Sequence, residues 1–305
     1  MKKIIPATPE PHTIEDSLLG SEIIRQGKVA AVVLAGGQGT RLGFSGPKGC
    51  FPITSKSLFQ IFAEKVPREL HFAVMCSTQN RKETEEHFTQ HGFFGLKKQN
   101  VHFFNQSNLP LADHNGKWLF DEDGKMVLAS DGNGSFYSSF YESLFASFNG
   151  IEYISIFPVD NPLAEPFCPS LIGFHVRTKN EVSSIAVKVE KAEKVGIWVL
   201  EEGKPVVLEY IHFGTEKFEN VFANVNLFCM DMEFIEKAAK KSEALPFTKV
   251  EKEWIGKRVI KLERYIFDAF PLAERRGFIA LPKESCYSPL KGKQHIELVK
   301  RALAK

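Results

Sequence analysis

A chain of 305 residues with 43% hydrophobic and 25% charged residues has the composition of a folded protein with one large α/β domain or two small ones. A formal net charge of +2 gives no field to gather nucleic acid, and no apolar run reaches the length of a membrane span. The five cysteines are scattered, odd in number and form no C-x-x-C, which argues against a disulfide frame or zinc site and for reduced thiols in the cytoplasm. Met1-Lys2-Lys3 is basic, but Pro6, Pro9, Glu10 and Pro11 stand where a secretory leader needs its apolar region.

In chain order, residues 1–15 read as a polar, proline-bearing arm and 17–26 as a short helix. Lys28 to Leu34 is a short apolar run rich in β-branched residues, expected as a strand buried on both faces. The turn after it, Leu34-Ala35-Gly36-Gly37-Gln38-Gly39-Thr40-Arg41-Leu42-Gly43, is rich in glycine, which lets backbone N–H groups approach a phosphate closely. Arg41 and Lys48 add two positive charges beside it, so the stretch reads as a triphosphate cradle. A P-loop is excluded because no Gly-Lys-Ser/Thr follows. A dinucleotide loop fits poorly. Leu42 holds the third glycine position of G-x-G-x-x-G, and no acid lies within residues 53–60, the region where the ribose-binding acid is required.

Helical spacing continues at 57–66, a strand at 71–77, a helix at 81–91 and a strand at 101–104 ending in Asn105-Gln106. This alternation predicts a doubly wound, mostly parallel sheet with ligands beyond its carboxyl ends, which places the Gln106 amide near the cradle. His87 and His91 lie one helical turn apart but lack the H-E-x-x-H order, so a solvated helix face is the expectation. Asp121-Glu122-Asp123-Gly124 is read as a hairpin turn rather than a calcium loop.

Asp131-Gly132-Asn133-Gly134 precedes an expected helix at 135–148, and an apolar strand at 153–159 ends in Asp160-Asn161. Asp160 is either a turn former before Pro162 or a magnesium ligand at a strand end. Strands are expected at 184–189, 196–200, 205–210 and 221–230, as an antiparallel layer on the parallel sheet. Glu209 ends one of them, and Asn224 and Asn226 interrupt another, where a buried polar group must find partners. Lys261 and Lys291 follow, and 295–303 closes the chain as an amphipathic helix.

The motif L-A-G-G-x-G-T-R-L-G followed by Pro47-Lys48-Gly49 resembles the uridylyltransferase family of UDP-sugar pyrophosphorylases, and within it the UDP-N-acetylhexosamine pyrophosphorylases. The likeness runs through D-G-N-G, V-D-N, V-L-E-Y, N-V-N, K-L-E-R-Y-I-F-D and S-P-L-K. It implies an α/β, Rossmann-like nucleotide-diphospho-sugar transferase fold, in one domain over 1–305. Residues 1–27 would be an arm and helix, and 262–305 a helical segment packed on the core, with both ends shorter than is usual for the family. It implies that Leu34, Ala35, Gly36, Gly37, Gly39, Thr40, Gln106 and Gly132 bind the nucleotide. Arg41, Lys48 and Lys261 would be catalytic, Asn133, Glu209, Asn226 and Lys291 would meet the sugar, and Asp160 would hold Mg²⁺ or Mn²⁺.

The partners implied are UTP and a sugar 1-phosphate, with no nucleic acid or membrane. Ser130 and Ser135 depart from a proline and a glycine of the family pattern, and Val225 stands where relatives have glycine. That last change threatens the shape of the sugar pocket. The expected reaction forms UDP-N-acetylglucosamine; the alternatives are a glucose or broad-specificity enzyme, a non-catalytic nucleotide-sugar sensor, and a nicotinamide-dependent oxidoreductase.

Overall fold

The structure is a computed structural model that describes residues 4–192 and 194–305. In chain order its elements are β1 (Ile5–Pro6), α1 (Ile14–Arg25), β2 (Val29–Leu34), α2 (Leu58–Ala63), β3 (Phe72–Cys76), α3 (Arg81–Gln90), β4 (Val101–Asn105) and β5 (Asn108–Pro110). They continue as β6 (Leu128–Ser130), α4 (Phe136–Ser143), β7 (Tyr153–Pro158), α5 (Pro169–Thr178), β8 (Val182–Lys191), β9 (Ile197–Glu201), β10 (Lys204–Leu208) and β11 (Glu219–Asp231). The last are α6 (Met232–Lys240), β12 (Thr248–Trp254), β13 (Lys257–Glu263), β14 (Arg276–Ala280), α7 (Lys283–Cys286) and α8 (Ile296–Leu303).

The central sheet runs β4-β3-β2-β7 in parallel. Beyond β7 it turns antiparallel through β11, which pairs with β8 and β9, while β14 runs parallel to β8. The antiparallel layer expected over 184–230 is therefore a continuation of the same sheet. Strand pleating sends successive side chains to opposite faces. Val29, Ala31 and Val33 enter one core with α2, α3 and α5, whereas Ala30, Val32 and Leu34 enter another with α4 and α6. β2 is buried along its whole length, which explains its unbroken apolar run.

Several segments differ from the sequence expectation. The helix expected at 135–148 ends at Ser143; Leu144 leaves helical geometry with φ −131°, and Phe148 is buried against Phe140, His71 and His102. The segment 262–305 is not simply helical: β14 lies within the main sheet, because its buried Gly-Phe-Ile triplet completes the edge of β8. The hairpin β12–β13 and helices α5 and α6 also lie in stretches with no assigned element. The hairpin of acidic turn 121–124 forms as expected, with Phe120 opposite Met126. All five cysteines are free thiols, and among the described residues no helix is long and apolar enough to cross a membrane.

Helix α1 begins with a reciprocal cap: Thr13 and Asp16 bond each other's backbone N–H. It crosses α5 in backbone contact through two glycines. A Cβ at Gly173 would lie 1.7 Å from the Asp16 carbonyl oxygen, and one at Gly20 would lie 2.0 Å from that of Pro169. No rotamer relieves a clash with backbone, so Gly173→Ala must push the helices apart. We expect a loss of about 1–3 kcal/mol, the usual cost of overpacking. Urea unfolding measures it; an unchanged midpoint would show that the two helices separate freely.

Candidate active site

The strand order reverses between β2 and β7: β3 and β4 follow β2 on one side, and β7 lies on the other. The loops leaving these two carboxyl ends diverge, and ligands of doubly wound sheets bind in that crevice. A cleft of about 400 Å³ opens there, lined from β2 by Leu34, Gly36 and Gly37 and from β7 by Pro158, Val159 and Asp160.

Gly36 lies flat against the Gln106 amide; a Cβ there would come within 2.6 Å of three of its atoms. The carbonyls of Ala35 and Gly37 are taken by Asn80 Nδ2, and Gly37 also accepts from the Lys48 N–H at 3.0 Å. Among the described residues the Gly36 and Gly37 N–H groups have no protein acceptor, and both residues line the cleft, so the loop brings unpaired donors to its wall. On the opposite wall Gly132 takes φ +92°, and a Cβ would meet the Arg264 carbonyl oxygen at 2.3 Å. Only glycine fits there.

Charge is concentrated at the β7 end. Lys48 is 6% exposed, with Nζ 4.0 Å from Asp160 Oδ2. Burial holds the Lys48 pKa below its usual range; Asp160 opposes that shift, and the positive charges of Arg41 and Lys291 add to it. Lys261 reaches the same cleft, bound to Glu263 Oε1 at 2.6 Å and to Ser130 Oγ at 3.1 Å. Ser130, which departs from the family's proline, thus supplies an acceptor for Lys261. Ser135 donates to the Gly132 carbonyl at 3.0 Å and steadies that turn.

At the far end, Asn133, Asn226 and Lys291 line the wall. Asn133 Oδ1 accepts the Ile266 N–H at 3.0 Å, leaving its amide nitrogen for a ligand. Asn226 has φ +57° and exchanges hydrogen bonds with Asn224 at 3.0 and 3.1 Å. Val225 is 1% exposed and packs against the core, and it also lines the cleft beside Asn226, so its branched side chain forms part of the cleft surface.

Five expected site residues stand outside the wall. Ala35 is buried, and Gly39 is packed against Phe44. Thr40 and Arg41 are exposed on the rim, in the short turn Thr40–Leu42. Glu209 follows β10 and covers Gly196; burial raises its pKa, while the Tyr210 backbone N–H and Lys291 pull it down. The structure adds cleft residues that sequence reasoning did not single out as contacts: Ser130, Glu263, Tyr265 and Tyr287. Burial, with Asp160 beside it, pushes the Tyr287 hydroxyl up to about 12. Glu263 and Tyr265 sit inside the K-L-E-R-Y motif, so their spacing from Lys261 was the available signal.

Among the described residues no three His, Cys, Asp or Glu side chains gather into a cage. His87 is spent on Ser57 Oγ, and His91 on the His87 carbonyl. Two carboxylates line the cleft; Glu263 is held by Lys261 at 2.6 Å, which leaves Asp160 as the hard oxygen donor that would suit a magnesium ion whose remaining ligands are phosphate oxygens and water.

A glycine-floored, lysine-lined cleft at the switch point of an α/β sheet is the arrangement of a nucleotidyltransferase. The chain belongs to the UTP–glucose-1-phosphate uridylyltransferase family, whose sequence profile matches residues 7–304. Within it the chain is similar to a probable UDP-N-acetylglucosamine pyrophosphorylase of Schizosaccharomyces pombe, 34% identical over 95% of this chain and 73% of that protein. The UDP-N-acetylglucosamine pyrophosphorylase of Saccharomyces cerevisiae is 33% identical over 93% of this chain and 71% of its own. The crystal structure of a putative UDP-N-acetylglucosamine pyrophosphorylase from Entamoeba histolytica superposes with a TM-score of 0.88, at 28% identity, covering 99% of this chain and 87% of that one. The dinucleotide alternative falls with this membership.

Behind the sugar end, Asp268 accepts the Tyr265 N–H at 2.6 Å, yet burial raises its carboxyl from 3.8 to about 6. The folded protein therefore holds this proton more tightly than the unfolded chain. The stabilisation is complete below pH 4 and is lost as pH rises through 6. Asp268→Asn keeps an acceptor for Tyr265 and removes that loss. Its melting temperature should exceed wild type above pH 6, with the gap closing below pH 4. Equal differences at pH 4 and pH 7.5 would contradict the burial argument.

Proposed function

We propose that this chain transfers the uridylyl group of UTP to N-acetylglucosamine 1-phosphate, giving UDP-N-acetylglucosamine and pyrophosphate, reversibly. The observation that carries the reading is the buried Lys48 beside Asp160, in the same cleft as two glycines with unpaired N–H groups at the switch point. Family membership supports it, as do the names of the 34% and 33% identical relatives. An oxygen of the sugar phosphate attacks the α-phosphorus, and the bond to the departing pyrophosphate oxygen breaks. Such a transfer asks the protein for positioning and charge neutralisation rather than covalent chemistry.

In this reading Gly36 and Gly37 cradle phosphate, and Lys48, Lys261 and the rim Arg41 neutralise charge growing on the leaving group. Gln106 and Gly132 read the uracil edge. Asn133, Asn226 and Lys291 meet the sugar phosphate, and Glu209 would reach the sugar hydroxyls from behind the wall. Asp160 would hold Mg²⁺ or Mn²⁺, which when bound supplies further neutralisation of phosphate oxygens. The family description names glucose 1-phosphate, so a glucose-using enzyme is the second reading.

Pyrophosphate release measured across four nucleoside triphosphates and two sugar 1-phosphates decides the substrate. UTP should exceed ATP, GTP and CTP strongly, because a site built on specific hydrogen bonds rejects analogues that leave them unpaired. N-acetylglucosamine 1-phosphate should exceed glucose 1-phosphate, and Asn226→Ala should erase much of that preference. Equal or better kcat/KM with glucose 1-phosphate would move the chain to the second reading.

Lys48→Ala should lower kcat by roughly 10²–10³ while weakening UTP binding far less, the cost of removing one preorganised charge. Asp160→Asn should raise the Mg²⁺ concentration needed for half activity. Near wild-type turnover in Lys48→Ala would remove it from catalysis, and an unchanged Mg²⁺ titration would remove Asp160 from the metal site.

A further inference from the structure

Asn161 follows Asp160 and has no exposed surface. Both ends of its amide are spent on a distant part of the chain: Nδ2 donates to the Cys286 carbonyl at 2.7 Å, and Oδ1 accepts the Ser288 N–H at 3.0 Å. The neighbouring Asp160 carbonyl accepts the Leu290 N–H at 2.6 Å. Three hydrogen bonds therefore tie two consecutive residues after β7 to the stretch 286–290.

That stretch presents Tyr287 and Lys291 to the cleft. It has no ladder of its own, since residues 287–291 belong to neither helix nor strand. Cys286 and Leu290 bury their side chains on either side, which holds the segment against the core but does not fix its register. A buried primary amide does, because it has one donor and one acceptor that must meet a particular carbonyl and a particular N–H. Lys291 is also close enough to act electrostatically on both Lys48 and Glu209.

We propose that Asn161 is a positioning residue for the sugar-phosphate end of the cleft, fixing Lys291 and Tyr287 relative to Asp160. The acid after β7 and the lysine near the chain's end then form one rigid unit, although 125 residues or more separate their anchoring groups. This rests on the uridylyltransferase reading of the cleft. Its consequence is selective: removing the amide loosens Lys291 and leaves the glycine loop, Gln106 and Gly132 untouched.

A double-mutant cycle tests it, with steady-state kinetics on wild type, Asn161→Ala, Lys291→Ala and the double variant, in UTP and N-acetylglucosamine 1-phosphate. Asn161→Ala should raise KM for the sugar phosphate about tenfold or more and shift KM for UTP by less than about threefold. In the Lys291→Ala background it should add little, because paired residues are non-additive. Should Asn161→Ala fail to fold, the isosteric Asn161→Asp is read in the same cycle. It keeps the Ser288 bond but sets a carboxylate against the Cys286 carbonyl, and it should show the same selective rise. Equal fold-changes in both backgrounds, or an equal rise in both KM values, would overturn the coupling while leaving the reading of the cleft standing. Wild-type kinetics in Lys291→Ala would overturn both.

Discussion

The parallel sheet reverses its winding between β2 and β7, and the rest of the molecule is arranged around that gap. Two neighbouring strands pointing the same way send their loops apart, and nothing in the sheet fills the space between. The glycine loop leaves one strand end and Asp160 leaves the other. Helices bury both faces of β2, so the edge formed by the carboxyl ends is where backbone groups stay open to a ligand. The antiparallel extension through β11 and β8 carries Asn226 to the same edge from the far side of β7. One sheet therefore supplies both the phosphate floor and the sugar wall.

A cleft holding three lysines would repel itself if nothing balanced them. Two carboxylates do so in the structure: Asp160 faces Lys48, and Glu263 grips Lys261. The two pairs differ in tightness. Lys261 is in direct contact with Glu263, while Lys48 stands 4.0 Å from its acid and loses hydration by burial. A desolvated ammonium with a loosely held partner is the group that gains most from an arriving phosphate. Lys291, exposed and mounted on an irregular stretch, completes the field from the other side. Electrostatics of this kind needs rigid backbone behind each charge, and the bonds from residues 160–161 to 286–290 provide it.

Local signals made much of this legible. The run from Val29 to Leu34 announces a strand buried on both faces, and the glycines after it announce a phosphate loop, because both follow from short-range pattern. Gln106 could be placed by topology alone, since it ends a strand next to β3. Asn226, Glu209 and Lys291 could not; strand-end and tail residues of those types are ordinarily surface groups, and only the family likeness singled them out. Hidden altogether were features defined by long-range pairing. β14 is five residues whose strand character comes from lying beside β8. The charged β12–β13 hairpin has no apolar alternation strong enough to read. Asn161 looks like any turn residue until Cys286 and Ser288 are seen beside it.

The valine at position 225 shows how the pleat limits a conflict that residue identity alone raises. A branched side chain where relatives carry glycine would crowd the cleft if it projected fully into it, and Val225 does line the cleft. Strand geometry instead puts residues 224 and 226 on one face and 225 on the other. Val225 accordingly joins Ala223, Leu227 and Cys229 in the core and touches the cleft only from that side, while Asn226, bonded to Asn224, lines the cleft. The register of β11 against β8 slips between Asn224 and Leu227, and the strain of that bulge falls on Asn226 at φ +57°. Asparagine tolerates the left-handed region far better than a β-branched residue does. Moving the bulge back by one residue would force Val225 into that conformation and turn Asn226 toward the core. The order Asn-Val-Asn therefore fixes where the strand bends, and the bend aims Asn226 into the cleft.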